Sequence, residues 1–370
     1  MSALRAILER GRAERVFSAA AWSVGTADEV LDRGWLGTRA WDDGAPEVDV
    51  SALWDLASVT KPIVGLAVMA LVDRGLLTLA DTVAEHLPRY AATDKAHLTV
   101  GQLLSHTSGL PGQVPMYRDH PTRESLLTAL GTLPLTGPPG TRVAYSSQGF
   151  MLLGLIAEAA SRQPLDALVA DAVTGPLSMA DTGFAPDAAG RARAVATERC
   201  PWRGRTVAGE VHDENAVVLG GVCGHAGLFA PLDDMERLGR SLAGGAREVL
   251  RPGTYALMTA PHTDGLGLRR CLAWQGLDPV GSPVGTAFGP ASYGHTGFTG
   301  TSVWVDPGAG LYAVLLTNRV HPTRQGDGIG AVRRTFHDTA HPEYAAHAGR
   351  AQAAGHAGRA RAAGHAGDAQ

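Results

Sequence analysis

Lysine is nearly missing from this chain. Of its 32 Lys and Arg residues, only Lys61 and Lys95 are lysines. Cysteine is also scarce: Cys200, Cys223 and Cys271 are odd in number and widely separated, which excludes a disulfide framework and reads as small, buried, reduced thiols. Uninterrupted apolar runs of about 18 residues do not occur, so no membrane-spanning helix is expected. There is no excess of positive charge, and a net charge of −4 gives no electrostatic footprint for nucleic acid. The segment MSALRAILERGRAERVF is amphipathic and charged, without the apolar stretch and cleavage site of a secretory signal, so a cytoplasmic location is expected. Gly-x-Ser-x-Gly, Walker, dinucleotide-binding and His-Glu-x-x-His motifs are absent, and no metal or cofactor is called for.

What is present describes an ordinary folded protein, with 45% hydrophobic and 18% charged residues over 370 positions. The spacing predicts a helix over residues 2–15, a strand in VFSAAAWSVG, and a helix through IVGLAVMALVDRG that stops at Gly75. Thr99 and Gln102 form a capping box for a helix through about His106. TGPPGTRVAYSSQG reads as a loop, FMLLGLIAEAASRQP as an amphipathic helix, and GLFAPLDDMERL as a helix start with Asp233 or Asp234 in its first turn. RPGTYALM begins with a helix-starting proline, and TSVWVDPGAGLYAVLLTN reads as a hairpin across DPGAG. Strand signals at both ends with helices between predict a sheet built from residues 1–61 and 250–344, with a helical domain of residues 62–249 inserted. From residue 345 to 370 the chain is low in complexity, with AAGHAGRAR nearly repeated by AAGHAGDAQ, and a disordered tail is expected.

The segment LWDLASVTKPIVG places Lys61 three residues after Ser58, so the two share one face of a helix. A serine hydroxyl needs a base beside it to become a nucleophile. Arginine cannot serve, because it stays protonated. A lysine can, where burial or neighbouring positive charge favours its neutral form. The alternative is a lysine that snorkels from a helix start. Pro62 disfavours helix at Lys61, so a helix begins close by or its first turn is irregular, and Ser58 lies near a helix N-terminus.

Two further stretches join this pair. YSSQG carries Tyr145 and Ser147, and GHTGFTG carries His295, Thr296, Gly297 and Phe298. Ser-x-x-Lys, Tyr-x-Ser and His-Thr-Gly, in this order, resemble the serine β-lactamase and penicillin-binding protein superfamily. The class C β-lactamase, D-aminopeptidase and esterase branch is the most similar, and LLSHTSGLP at 103–111 resembles another of its hallmarks. The resemblance spans about residues 10–340.

The resemblance implies an α/β (α+β) fold: an antiparallel sheet flanked by helices, with an inserted, mostly helical domain. It implies Ser58 as the acylated nucleophile, and Lys61 and Tyr145 as partners in proton transfer. Ser147 would stand where the family usually has Asn, His295, Thr296 and Gly297 would line the substrate strand, and the backbone N–H groups of Ser58 and Phe298 would form the oxyanion hole. Tyr-Ser-Ser and His-Thr-Gly depart from the Tyr-x-Asn and Lys-Thr-Gly of β-lactamases and resemble the esterase and peptidase side. The stretches 210–230 and 315–324 resemble a cytosolic subgroup that includes muropeptide amidases, and a substrate-binding role is expected for His225 or for residues of 210–215. The expected activity is cleavage of an ester or amide of a small molecule or peptide through an acyl-Ser58 intermediate. Transfer of the acyl group to an amine or alcohol, muropeptide amidase or D-aminopeptidase activity, and ligand binding without catalysis stand beside it. No oligomeric state follows from the sequence.

Overall fold

The computed structural model describes residues 2–345. The expected tail lies outside the described residues, apart from Ala345, which belongs to a helix over 329–345. Among the described residues there are eleven strands: β1 (Ala19–Gly25), β2 (Val30–Gly37), β3 (Trp54–Asp55), β4 (Gly183–Phe184), β5 (Ala196–Cys200), β6 (Arg205–Ala208), β7 (Leu228–Ala230), β8 (Gln275–Gly276), β9 (Tyr293–Thr296), β10 (Ser302–Asp306) and β11 (Leu311–Thr317). Six make one antiparallel sheet in the order β2–β1–β11–β10–β9–β8. The pairing of β1 with β11, from Ala20↔Thr317 to Gly25↔Tyr312, joins the two ends of the chain at the sheet's centre.

Both faces of this sheet are covered, which explains why β1 and β11 are apolar without alternation. Ala20, Trp22, Trp304, Ala313 and Leu315 pack with Leu4, Leu8, Val332 and Phe336 of the two terminal helices. Ala21, Val303, Tyr312, Val314 and Leu316 face the opposite way, into the core shared with the central helices. The hairpin across 307–310 closes as the sequence implies: Asp306 Oδ1 accepts the N–H groups of Gly308 at 2.9 Å and Ala309 at 3.2 Å.

The helix Thr60–Asp73 is buried at every residue from Thr60 to Leu71, so it runs through the protein's interior. Each fully buried leucine or isoleucine on it contributes about 1.5–3 kcal/mol of transfer free energy. It stops at Gly75, whose φ of +70° suits glycine, as its sequence implies. The Thr99–Gln102 capping box forms, but the helix covers only Val100–Leu104. His106 takes a φ of +59°, which ends the helix earlier than its apolar spacing suggested. The helix expected from Phe150 begins three residues earlier, at Ser147, capped by Ser146. Among the described residues, no helix is long and apolar enough to cross a membrane.

Candidate active site

Ser58 lies in a short 3₁₀ turn, Ala57–Val59, that runs straight into the buried helix. This is the irregular first turn that Pro62 implied. Ala57 has a φ of +47°, which costs a residue with a Cβ about 1–2 kcal/mol. Asp55 holds that geometry: Oδ1 accepts the Ala57 N–H at 2.8 Å, and Oδ2 accepts the His212 N–H at 2.7 Å. Burial raises the Asp55 carboxyl above its ordinary range, and the two N–H donors only partly offset this. From the other side, Thr299 Oγ1 donates to Asp55 O at 2.8 Å and Thr301 Oγ1 to Leu56 O at 3.0 Å. The turn after β9 is thus clamped onto the strand leading to Ser58.

Gly297 shows how tight that clamp is. A Cβ there would lie 2.0 Å from Thr301 Oγ1 and 2.5 Å from Leu56 O. The buried Arg333 holds the turn from behind, with Nη2 donating to Gly297 O at 2.6 Å and Thr301 O at 2.8 Å. Burial, aided by the Arg319 charge, pushes Arg333 down to about 9.

Lys61 is fully buried, and its Nζ donates to Ser58 Oγ at 2.9 Å and to the His225 carbonyl at 3.0 Å. Both acceptors are neutral oxygens, and no carboxylate pairs with Nζ among the described residues. The Tyr145 ring lies 5.0 Å from Nζ. Around Tyr145 stand His106 at 4.6 Å and His295 at 5.9 Å between ring centroids, and the Arg270 guanidinium at 5.5 Å. Burial, then the charges of Arg270 and Lys61, hold His106 well below the ordinary imidazole range. Burial, then Lys61 and Arg270, do the same to His295. Both rings are therefore neutral. His295 Nδ1 donates to the Thr296 carbonyl at 2.9 Å, which leaves Nε2 as a buried acceptor without a partner.

Ser58, Ser147, Tyr117, Arg118, Asn215 and Phe298 line a cavity of about 230 Å³. Ser147 Oγ is buried there and has no hydrogen-bond partner. Asn215 anchors the wall, with Oδ1 accepting from Tyr117 N and Nδ2 donating to Val114 O, each at 2.8 Å. His225 does not reach this cavity; it is fully buried, and its carbonyl meets Lys61. The site expected from sequence thus comes together around Ser58, Lys61, Tyr145, Ser147, His295 and Phe298, with Thr296 and Gly297 setting the strand and turn. Arg118, Arg270 and Asp55 were not legible as part of it.

One cluster at the cavity's rim has the residues of a metal site. Donor atoms of Glu198, Cys200 and Glu214 lie within 4.8 Å of one another. The Arg324 guanidinium already bonds to both carboxylates, with Nε 2.8 Å from each oxygen of Glu198. Burial would raise Glu198, but His212 and Arg324 outweigh it and bring the carboxyl to about 2.

The family model described as Beta-lactamase matches residues 4–335. The chain belongs to the Beta-lactamase family. It is a hydrolase of that family. A protein of Escherichia coli (strain K12) named as a D-alanyl-D-alanine carboxypeptidase is 31% identical over 334 residues, covering 79% of this chain and 76% of the relative. The N-acetylmuramyl-L-alanine amidase of Bacillus subtilis (strain 168) is 33% identical over 312 residues, covering 73% of this chain and 68% of the relative. Two solved structures share the fold. EstCE1, a hydrolase with promiscuous acyltransferase activity, has a TM-score of 0.72 at 21% identity, over 90% of this chain and 97% of its own. The unliganded simvastatin synthase (LovD) of Aspergillus terreus has a TM-score of 0.72 at 20% identity, over 92% of this chain and 98% of its own.

Proposed function

We propose that this member of the Beta-lactamase family is a serine hydrolase that cleaves an ester or amide through an acyl-Ser58 intermediate. The observation that carries the reading is the 2.9 Å bond between Lys61 Nζ and Ser58 Oγ, beside the cavity that Ser58 lines. Lys61, with Tyr145 beside it, takes the Ser58 proton as Oγ attacks the carbonyl carbon. The tetrahedral oxygen is received by the N–H groups of Ser58 and Phe298, a pair of donors that stabilises such an intermediate by several kcal/mol. The proton then returns to the leaving oxygen or nitrogen, and water releases the acyl group by the reverse route. Ser147 Oγ, unpartnered and facing the cavity, is placed to bond the substrate. The site would lie between the sheet part, residues 1–61 and 250–344, and the helical part, residues 62–249.

Peptide-like substrates are the class we favour, because relatives over 30% identical carry carboxypeptidase and amidase names. Acyl transfer to an amine or alcohol is the second reading, favoured by the fold shared with EstCE1 and simvastatin synthase. Product analysis separates them. With a p-nitrophenyl ester or a D-alanyl peptide, hydrolysis gives free acid in the presence of an added amine or alcohol, whereas transfer gives the new amide or ester. A wild type that takes no acyl group from either substrate or from a muropeptide would favour ligand binding without catalysis.

A further inference from the structure

Lys61's second acceptor belongs to a residue whose side chain serves a different set of groups. The His225 ring is fully buried between two partners: Nε2 lies 2.9 Å from Asp213 Oδ1, and Nδ1 lies 3.0 Å from Cys223 Sγ. An ionised carboxylate can only accept, so Nε2 carries a proton and donates it to Asp213. Nδ1 is then the atom that exchanges a proton with the sulfur. Asp213 is itself fixed by the Ala216 N–H at 2.9 Å. Burial opposes charge on His225, but Cys223 and Asp213 outweigh it and raise the imidazole to about 10.

Cys223 is buried, at the wall of a small cleft away from Ser58. Cys223 lines a narrow, mostly apolar cleft with Leu127, Met151, Leu155, Leu165 and Leu219, and this cleft shares no lining residue with the Ser58 cavity. The position of Cys223 is fixed by close backbone packing next to it, where a Cβ on Gly224 would lie 2.1 Å from Phe150 O. The other two cysteines have no such neighbours. Cys200 Sγ lies among carboxylates, 4.0 Å from Glu214 and within 4.8 Å of Glu198, and Cys271 Sγ donates to Thr259 O at 3.0 Å. Burial pushes the Cys271 thiol up to about 12.

We propose that Cys223 is an activated thiol and a modification site for small electrophiles, peroxides included, with His225 as its base and Asp213 orienting that base. A carboxylate-held imidazole that accepts a thiol proton generates the thiolate, which is the reactive form. Toward a peroxide, Sγ attacks one oxygen. The S–O bond forms, the O–O bond breaks, and the departing hydroxide leaves as water with the thiol proton relayed by His225 Nδ1. Cys223 is oxidised to a sulfenic acid and the peroxide is reduced. Toward iodoacetamide, an S–C bond forms, the C–I bond breaks, and iodide leaves while the proton goes to Nδ1.

The test reads masses and is independent of hydrolytic turnover. The full chain is treated with limiting iodoacetamide, and separately with hydrogen peroxide followed by dimedone, and the cysteine peptides are quantified over time. Cys223 is expected to label at least tenfold faster than Cys200 and Cys271, and Asp213→Asn to slow Cys223 at least tenfold while leaving the other two unchanged. Should Asp213→Asn lose its fold, seen as faster labelling of Cys200 and Cys271 together, Leu155→Trp replaces it; by narrowing the cleft it is expected to slow Cys223 alone. Labelling of Cys223 no faster than of Cys271, or an unchanged Cys223 rate in the folded variants, overturns the proposal.

Discussion

Asp55 Oδ1 accepts the backbone N–H of Ala57 at 2.8 Å, and this bond holds the left-handed residue immediately before Ser58. The same carboxylate fixes His212 N, so one buried group sets both the turn that carries Ser58 and a wall of the cavity. Asparagine offers only one acceptor where two N–H groups now point. Asp55→Asn is therefore expected to leave one buried donor unpaired, at about 1–3 kcal/mol of stability. Chemical denaturation of the two proteins measures it; an unchanged midpoint would mean that the turn holds without the carboxylate.

The Lys61 side chain is fully buried, packed near the Tyr145 and Phe150 rings. Lys61→Met keeps most of the side chain's length and removes the proton acceptor. We expect it to remain folded while acylation by an activated ester falls by about 10³ or more, roughly 4 kcal/mol of barrier. Lys61→Arg also removes the base, but the larger guanidinium overpacks that buried position at about 1–3 kcal/mol, so its activity loss reports two effects at once. Stopped-flow acylation of a folded Lys61→Met protein within about tenfold of wild type would rule out Lys61 as the base.

The His225 pair gives a pH signature. Its folded-state value, about 10, stands above its ordinary 6.5. A raised imidazole contributes stability that is fully present below about 6.5 and is lost as pH rises to about 10. The wild type is expected to lose more melting temperature between pH 6.5 and pH 10 than His225→Gln, whose glutamine does not titrate. Equal losses in the two proteins would show that the pair adds nothing to stability over that window.

The His-Thr-Gly of residues 295–297 resembles the Lys-Thr-Gly of β-lactamases, and burial, Lys61 and Arg270 hold the His295 imidazole well below its ordinary range. No fixed cation at that position faces a β-lactam carboxylate. Loss of such a charged hydrogen bond costs about 1.5–3 kcal/mol. Nitrocefin is therefore expected to turn over more slowly than a p-nitrophenyl ester, and a nitrocefin rate equal to or above the ester rate would contradict this.

Much of this was legible before any coordinates. The two-residue supply of lysine made Lys61 conspicuous, and local rules placed Gly75, the Thr99 capping box and the hairpin across DPGAG. These features are set within a few residues of chain, where backbone chemistry decides. The contributions of Asp55, Arg270 and Arg333 could not be read this way. Each acts on a partner distant in the chain, Asp55 on His212, Arg270 on Tyr145 and Arg333 on Gly297, and nothing in their flanking residues marks the contact. His225 shows the same limit from the other side. Its polar, glycine-rich surroundings pointed to substrate, whereas the fold turns its ring inward to Asp213 and Cys223.

Whether Ser58 carries the acyl group is read by one labelling experiment. The protein is treated with a tagged fluorophosphonate, digested, and the modified peptide identified by mass spectrometry, with Ser58→Ala in parallel. A single label is expected on the peptide containing Ser58, and none on the variant. A label on Ser105, Ser108 or Ser147, or one that persists in Ser58→Ala, would contradict it.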